Sequence, residues 1–235
     1  MKSYIKHSDC FDEFKNINDN TIDLVCVDLP YGQTACKWDS VINLSKMWDE
    51  LKRICKEGCV YVFFCTTKFG HSLISSNKKW FRYDIVWQKS KAVGFLSANK
   101  MPLREHEMIY IFYKKWNIYN PQKTKGKPYK TKGKGKVGVY NSKRTDGNNI
   151  TGDRHPKSII KFNNPKKSIH RTQKPVSILE WIIKTYSNEN DLVLDFTMGS
   201  GSTVEACINT NRKYIGIEKD KDIYLIAKDR IDNLL

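Results

Sequence analysis

The run IDLVCVDLPYG, residues 22–32, carries an apolar, β-branched stretch onto Asp28 and follows it at once with Leu29, Pro30 and Tyr31. A carboxylate accepts hydrogen bonds and an aromatic ring offers a flat apolar face, so the pair suits a planar group that bears N–H donors. Pro30 fixes its own φ and disfavours helix at Leu29, which sets the Leu29 carbonyl and the Tyr31 ring in a fixed relation. A second constellation lies far down the chain. DLVLDFTMGSGST, residues 191–203, places Gly199 and Gly201 between an apolar run and a helical pattern. Glycine lets the backbone turn tightly and approach a ligand closely, and the helix amino terminus beyond it favours a negative group. Glu218 closes the next apolar run, 23 residues after Asp195, about where an acidic residue grips ribose hydroxyls. A nicotinamide dinucleotide site wants a third glycine at position 204, which is Val204. A smaller nucleoside without pyrophosphate fits better, and an ordinary tight turn between strand and helix is the plain alternative.

Elements that must carry these groups follow from periodicity. Strands are expected at YIKH, at 22–28, 59–65, 82–87 and 106–114, and at DLVLDF and KYIGIE. Helices are expected over Val41–Glu57, stopped by Gly58, then over 68–76, from Pro175 through PVSILEWIIKTYS, over STVEACINT, and over KDIYLIAKDRIDNLL. Buried strands alternating with helices argue a parallel sheet covered on both faces, and 235 residues suit one such domain with an insertion. His106 and Glu107 read as structural residues at a strand end. The loop QTACKWD and the segment 89–106 read as the rim over the site, with Lys37, Lys89 and Lys91 as phosphate contacts or, nearly as well, as solvated surface lysines.

The charge is unevenly placed. Of 41 Lys and Arg, 18 fall between Lys114 and Lys174 with only 2 of the 25 Asp and Glu, so the rest of the chain holds 23 of each sign and the net +16 lives in one segment. KTKGKPYKTKGKGK and SKRTDGNNITGDRHPK have too little apolar material for a core of their own and read as an inserted basic region for a polyanion. Seven cysteines, at 10, 26, 36, 55, 59, 65 and 207, form no CxxC pair, so a reducing cytoplasm and no metal site are expected. No apolar run is long enough for a membrane span, and no membrane role is expected.

With DLPYG ahead of the basic insertion and DFTMGSGST behind it, the chain resembles the beta class of S-adenosylmethionine-dependent DNA amino-methyltransferases. HSDCFDEF, DLPYG, HRTQKPVSILEWI and DFTMGSGST followed by YIGIE agree with that family in order. The second position of the catalytic motif is Leu29 where proline is usual, and the residue before the threonine of TQKP is Arg171 where proline is common. The resemblance implies an α/β fold: a Rossmann-like, doubly wound, mostly parallel class I methyltransferase sheet, circularly permuted. It divides the chain into a catalytic half, 1–113, an inserted target-recognition region, 114–169, and a cofactor half, 170–235.

Carried over residue by residue, the resemblance makes Asp28, Leu29, Pro30 and Tyr31 the catalytic motif. Asp195, Phe196, Gly199, Gly201, Ser202 and Thr203 would line the cofactor, Glu218 would accept from its ribose, and Asp9 would accept from its adenine amino group. The plain reading of Asp9 is a helix cap. Thr172, Gln173 and Lys174 would hold the cofactor carboxylate. The implied partner is double-stranded DNA, with a homodimer and a cognate restriction enzyme as further compatible partners. Aspartate at the first catalytic position leans to adenine N6, and serine there to cytosine N4. An RNA methyltransferase would share the cofactor site, and a non-enzymatic nucleic-acid-binding module would share the basic segment alone.

Overall fold

The computed structural model describes residues 2–30, 42–116, 118–133, 136–137, 142–143, 146–165 and 173–235. Among them the chain order is β1 (Tyr4–His7), α1 (Cys10–Phe14), β2 (Ile22–Asp28), α2 (Leu44–Ile54), β3 (Cys55–Cys65), α3 (Thr67–Ser76), β4 (Phe81–Val93) and β5 (Arg104–Tyr113). Six short strands follow: β6 (Thr124–Lys125), β7 (Tyr129–Thr131), β8 (Lys136–Val137), β9 (Ser142–Lys143), β10 (Gly147–Asn149) and β11 (Asp153–Arg154). β12 (Ile159–Lys161), α4 (Val176–Tyr186), β13 (Leu192–Asp195), α5 (Ser202–Asn209), β14 (Lys213–Glu218) and α6 (Lys221–Asp232) complete the order.

Two compact units result, Met1–Asn120 with Ser158–Leu235, and Pro121–Lys157. The first is built on an eight-stranded sheet in the order β1-β14-β13-β2-β3-β5-β4-β12. β5 runs antiparallel to β3 and to β4, and the other pairings are parallel. Its central strands are apolar on both faces because both are covered. Along β2, Val25 and Val27 join the cluster with Phe14, Met47, Trp48, Leu51 and Leu73 from α1, α2 and α3. Leu24 and Cys26 join the opposite cluster with Ile178, Ile182, Ala206, Ala227 and Ile231 from α4, α5 and α6. The mostly parallel, doubly wound sheet expected from the alternation is therefore what forms.

The expected α2 overran. Residues 55–57 leave the helix because Cys55 pairs with Ile22 in the sheet and Thr21 donates its N–H to the Ile54 carbonyl at 2.8 Å; Gly58 lies inside β3 and does not cap the helix. Trp48 fixes the helix on the sheet, its ring centroid 5.3–6.0 Å from those of Tyr61, Phe63, Trp80 and Phe112. Each such ring pair contributes about 0.5–1.5 kcal/mol beyond the area it buries. β12 falls within the stretch expected to hold no core, yet it pairs with β4 and buries Ile160.

The second unit is held by three antiparallel pairs, β6 with β11, β7 with β10, and β8 with β9. The Arg154 guanidinium lies 4.5 Å from the centroid of the Tyr129 ring and donates to the Gly152 carbonyl at 2.8 Å. Lys123, Lys127, Lys130 and Lys132 are exposed on it.

Candidate active site

In the sheet of the first unit, β13 and β2 are central neighbours whose chains cross over to opposite sides, β13 towards β14 and β2 towards β3. The crevice beyond their carboxyl ends is where such sheets bind ligands. Asp195 ends one strand and Asp28 the other. The Thr197 hydroxyl closes the gap, donating to the Asp28 carbonyl at 3.0 Å. That bond adds to the β2–β13 pairing and to the Leu192 N–H on Asp23 Oδ2 at 2.9 Å in joining the two constellations separated in sequence.

On the β13 side the turn is built around carboxylates. Gly199 and Gly201 take φ of +53° and +78°, the left-handed region that glycine adopts without strain. A Cβ at Gly199 would stand in open space, whereas at Gly201 it would meet Ala227 Cβ and Ile231 Cδ1 at 3.3 Å. Glu218 Oε2 accepts from the Gly199 N–H at 2.9 Å, and its Oε1 from the Asp220 N–H at 2.8 Å. Burial pushes the Glu218 carboxyl up, against the pull of those backbone donors. Burial also pushes Asp195 up, to about 7, although the Thr203 side chain and the Thr197 N–H hydrogen-bond to its carboxyl. Ser202 accepts from Arg230 Nη1 at 2.9 Å, which ties the start of α5 to α6. Phe196 is a core side chain, its ring 5.4 Å from that of Phe14, so it shapes the turn from behind.

Asp9 stands beside this wall. It caps α1, its Oδ1 accepting from the Phe11 N–H at 2.9 Å, while Oδ2 lies 3.0 Å from the Lys219 ammonium. The adjacent Ser8 N–H donates to the Glu218 carbonyl at 3.0 Å. Burial alone would raise the Asp9 carboxyl; Lys219 and the Phe11 N–H outweigh it and hold it below its usual value.

On the β2 side the Leu29 side chain is buried and Pro30 follows it, while Tyr31 and Thr172 lie outside the described residues, as do Lys37 and Cys36. Gln173 and Lys174 immediately precede Pro175, the N-cap of α4. The Lys174 ammonium reaches the end of β2. It pairs with Asp28 Oδ2 and lies 2.9 Å from Glu107 Oε1, above the Phe64 ring. Glu107 Oε2 is in turn 2.7 Å from Lys89 Nζ, which lies over the Trp87 ring. Lys89, read from sequence as a phosphate contact or a solvated surface lysine, is a largely buried partner of Glu107.

The four charges alternate and cancel. Burial alone would lower Lys174, but the Asp28 and Glu107 carboxylates outweigh it and hold the ammonium above its ordinary value. Burial alone would raise Glu107, but Lys174 and Lys89 hold it below the usual carboxylate range. Sequence reasoning set Glu107 aside and did not single out Thr197. A signal was present for Glu107. It shares the parity of Ile109 and Ile111 on β5, as Lys89 shares that of Ile85 and Trp87 on β4, and all four apolar partners belong to one buried cluster. A charge on a core-facing register needs a partner.

A family model described as DNA methylase, N6_N4_Mtase, matches residues 22–229. The chain belongs to this DNA methylase family. Among curated relatives of the methylase are the Type II methyltransferase M.HpaI of Haemophilus parainfluenzae, 27% identical over 96% of this chain and 73% of the relative, and M.HindIII of Haemophilus influenzae, 25% identical over 98% and 96%. Its fold is similar to that of a solved M1.HpyAVI-SAM complex, with TM-score 0.69, 24% identity and coverage of 97% and 98% of the two chains. The cytosine-N4-specific PvuII DNA methyltransferase shares the fold at TM-score 0.71 and 13% identity, covering 98% of this chain and 86% of that one. No group of His, Cys, Asp and Glu suited to a metal ion occurs among the described residues, and no helix among them is long and apolar enough to cross a membrane.

Proposed function

We propose that the chain is a DNA adenine-N6 methyltransferase that uses S-adenosylmethionine and acts on a base flipped out of the duplex. The observation that carries this reading is the Thr197 hydroxyl on the Asp28 carbonyl, which sets an acceptor strand end and a glycine turn side by side at the switch point of the sheet. The cofactor suits the wall formed by Gly199, Asp195 and Glu218: open space faces Gly199 where a side chain would intrude, and a carboxylate stands at the end of β14 for ribose hydroxyls. When bound there, S-adenosylmethionine supplies an electrophilic methyl group on a sulfonium. Asp9, next to the Ser8 whose N–H donates to the Glu218 carbonyl, takes the adenine amino group of the cofactor in this reading.

The chain's own residues have to make the amine reactive. An exocyclic amine is a poor nucleophile while its lone pair is delocalised into the ring. The Asp28 carboxylate takes one N–H and the Leu29 carbonyl the other, holding the hydrogens so that the lone pair points at the methyl carbon, and the carboxylate stabilises the positive charge that develops on nitrogen. Extruding the base costs a few kcal/mol of pairing and stacking, which the Tyr31 ring offsets by roughly 1–3 kcal/mol of stacking. The segment 114–169, with its concentrated lysines, is the target-recognition region in this reading, and adenine is favoured over cytosine by the aspartate at position 28.

Labelled S-adenosylmethionine incubated with the protein and DNA, followed by digestion to nucleosides, tests the assignment. Label is expected in N6-methyladenine; label confined to N4-methylcytosine would overturn the base, and no incorporation into DNA would overturn the activity. Asp28→Ala is expected to lower turnover by at least a thousandfold, about 4 kcal/mol of transition-state stabilisation, with cofactor binding near that of the parent in calorimetry.

A further inference from the structure

Lys174 sits between two carboxylates. Its ammonium hydrogen-bonds to Asp28 Oδ2, the group that the proposed function assigns to the target amine. Glu107 Oε1 lies 2.9 Å from the same ammonium, a second carboxylate already at ion-pair distance. An ammonium and an amino group are both donors, and the charged donor makes the stronger bond to a carboxylate. As long as Lys174 stays on Asp28, the incoming amine meets an acceptor whose charge is already engaged. A second acceptor within reach, carrying the same charge and no more exposed, is what would let the ammonium leave without any change in net charge or any release into water.

We propose that Lys174 is a movable counter-ion of Asp28, and that Glu107 is the positioning residue onto which its ammonium shifts when the target amino group takes Asp28. This rests on the assignment of Asp28 as acceptor. The geometry supplies the parts. Glu107 is kept in place by Lys89, whose Nζ is 2.7 Å from the other carboxylate oxygen. The Phe64 ring, 5.2 Å below Nζ, gives the ammonium a favourable surface over which to move. Among the described residues, the groups that interact with the ammonium stand on strands of the sheet: Asp28 and Cys26 on β2, Glu107 on β5, and Phe64 and Cys65 on β3. The thiols of Cys65 and Cys26 are pushed well up by burial and stay neutral, so among these groups the exchange is between the two carboxylates. No bond to carbon or sulfur is made or broken in this step; one N–H hydrogen bond is traded for another.

A double-mutant cycle with Glu107→Gln and Lys174→Met tests it on the full chain, with turnover on DNA, cofactor affinity and melting temperature measured for each protein. Glu107→Gln is expected to lower kcat about tenfold with cofactor affinity unchanged, because Lys174 loses its second seat. In the Lys174→Met background the same change is expected to cost less than twofold. Equal losses in both backgrounds would overturn the inference. A pH profile gives a readout that a merely structural role would leave still: without the ammonium beside it, Asp28 protonates more readily, so the acid limb of kcat/KM should move up by about a pH unit in Lys174→Met and stay put in Lys174→Arg. An unmoved limb in Lys174→Met would overturn the inference even if Glu107→Gln proved too unstable to assay. Asp28→Ala separates the two levels. If it retains turnover, the acceptor assignment falls and this inference with it; if it is inactive while the cycle is additive, only the counter-ion exchange falls.

Discussion

Asp195 is a carboxyl that burial has turned into a group titrating near 7, and the turn around it inherits that property. In the unfolded chain the same group titrates near 3.8, so between about pH 4 and pH 7 the folded form binds more protons and loses stability as the pH rises, by up to about 1.4 kcal/mol per unit. Asp195→Asn should flatten that slope, and melting temperature followed across the range checks it; an unchanged slope would show that other groups set it. The two glycines of the turn should separate in their effects. Gly201→Ala forces a side chain into the left-handed region against Ala227 and Ile231 and should cost about 1–3 kcal/mol of stability. Gly199→Ala carries backbone strain of a similar kind but puts its methyl into open space, so its larger effect should be a loss of cofactor affinity of tenfold or more by calorimetry. Both glycines, Asp28, Asp195 and Glu218 were legible in the sequence because turn chemistry and strand ends are local signals. Lys174 was legible as a residue of interest but not in its partner, since the pairing with Asp28 spans 146 positions.

Among the elements, the carboxyl-terminal βαβα unit matched expectation closely because each boundary carries its own signal. Asp220 caps α6 by accepting from the Asp222 and Ile223 N–H groups at 3.0 and 3.1 Å. Asp220→Ala should therefore cost about 1 kcal/mol, measured by urea unfolding, with a null effect arguing that packing of Ile223, Ala227 and Ile231 holds the helix alone. The elements that sequence misjudged are those decided by a distant partner. KRICKEG has helical character, yet Cys55 is claimed by Ile22 across the sheet. Ile159 and Ile160 stand in a lysine-rich stretch too poor in apolar residues to suggest a core, yet β4 supplies one, and the Trp87 indole N–H reaches the Phe162 carbonyl at 2.9 Å to fasten them. Single-sequence periodicity weighs neighbours and cannot weigh a strand that arrives from elsewhere.

At the level of the whole molecule, charge segregation ought to govern binding to DNA. Pro121–Lys157 contains 11 Lys and Arg against 2 Asp, and several of these lysines are exposed. Replacing Lys127, Lys130 and Lys132 by Gln should weaken binding to any duplex alike and reduce the slope of log affinity against log salt by about 0.9 for each phosphate that is no longer neutralised. A slope that stayed the same would remove those lysines from the interface. The order of the sheet carries a different kind of consequence. β2, which ends in Asp28, pairs with β13, and β1 pairs with β14, so Tyr4 waits for Ile215 and Leu24 for Val193. During synthesis, IDLVCVD leaves the ribosome as an apolar strand whose neighbour on one side does not yet exist, an edge that invites misassociation. Nor does any nascent fragment that stops short of DFTMGSGST hold both halves of the crevice. The permuted order therefore withholds the assembled crevice from every chain that stops short of that turn, and makes the late strands β13 and β14 the ones that both fill the sheet and complete the site.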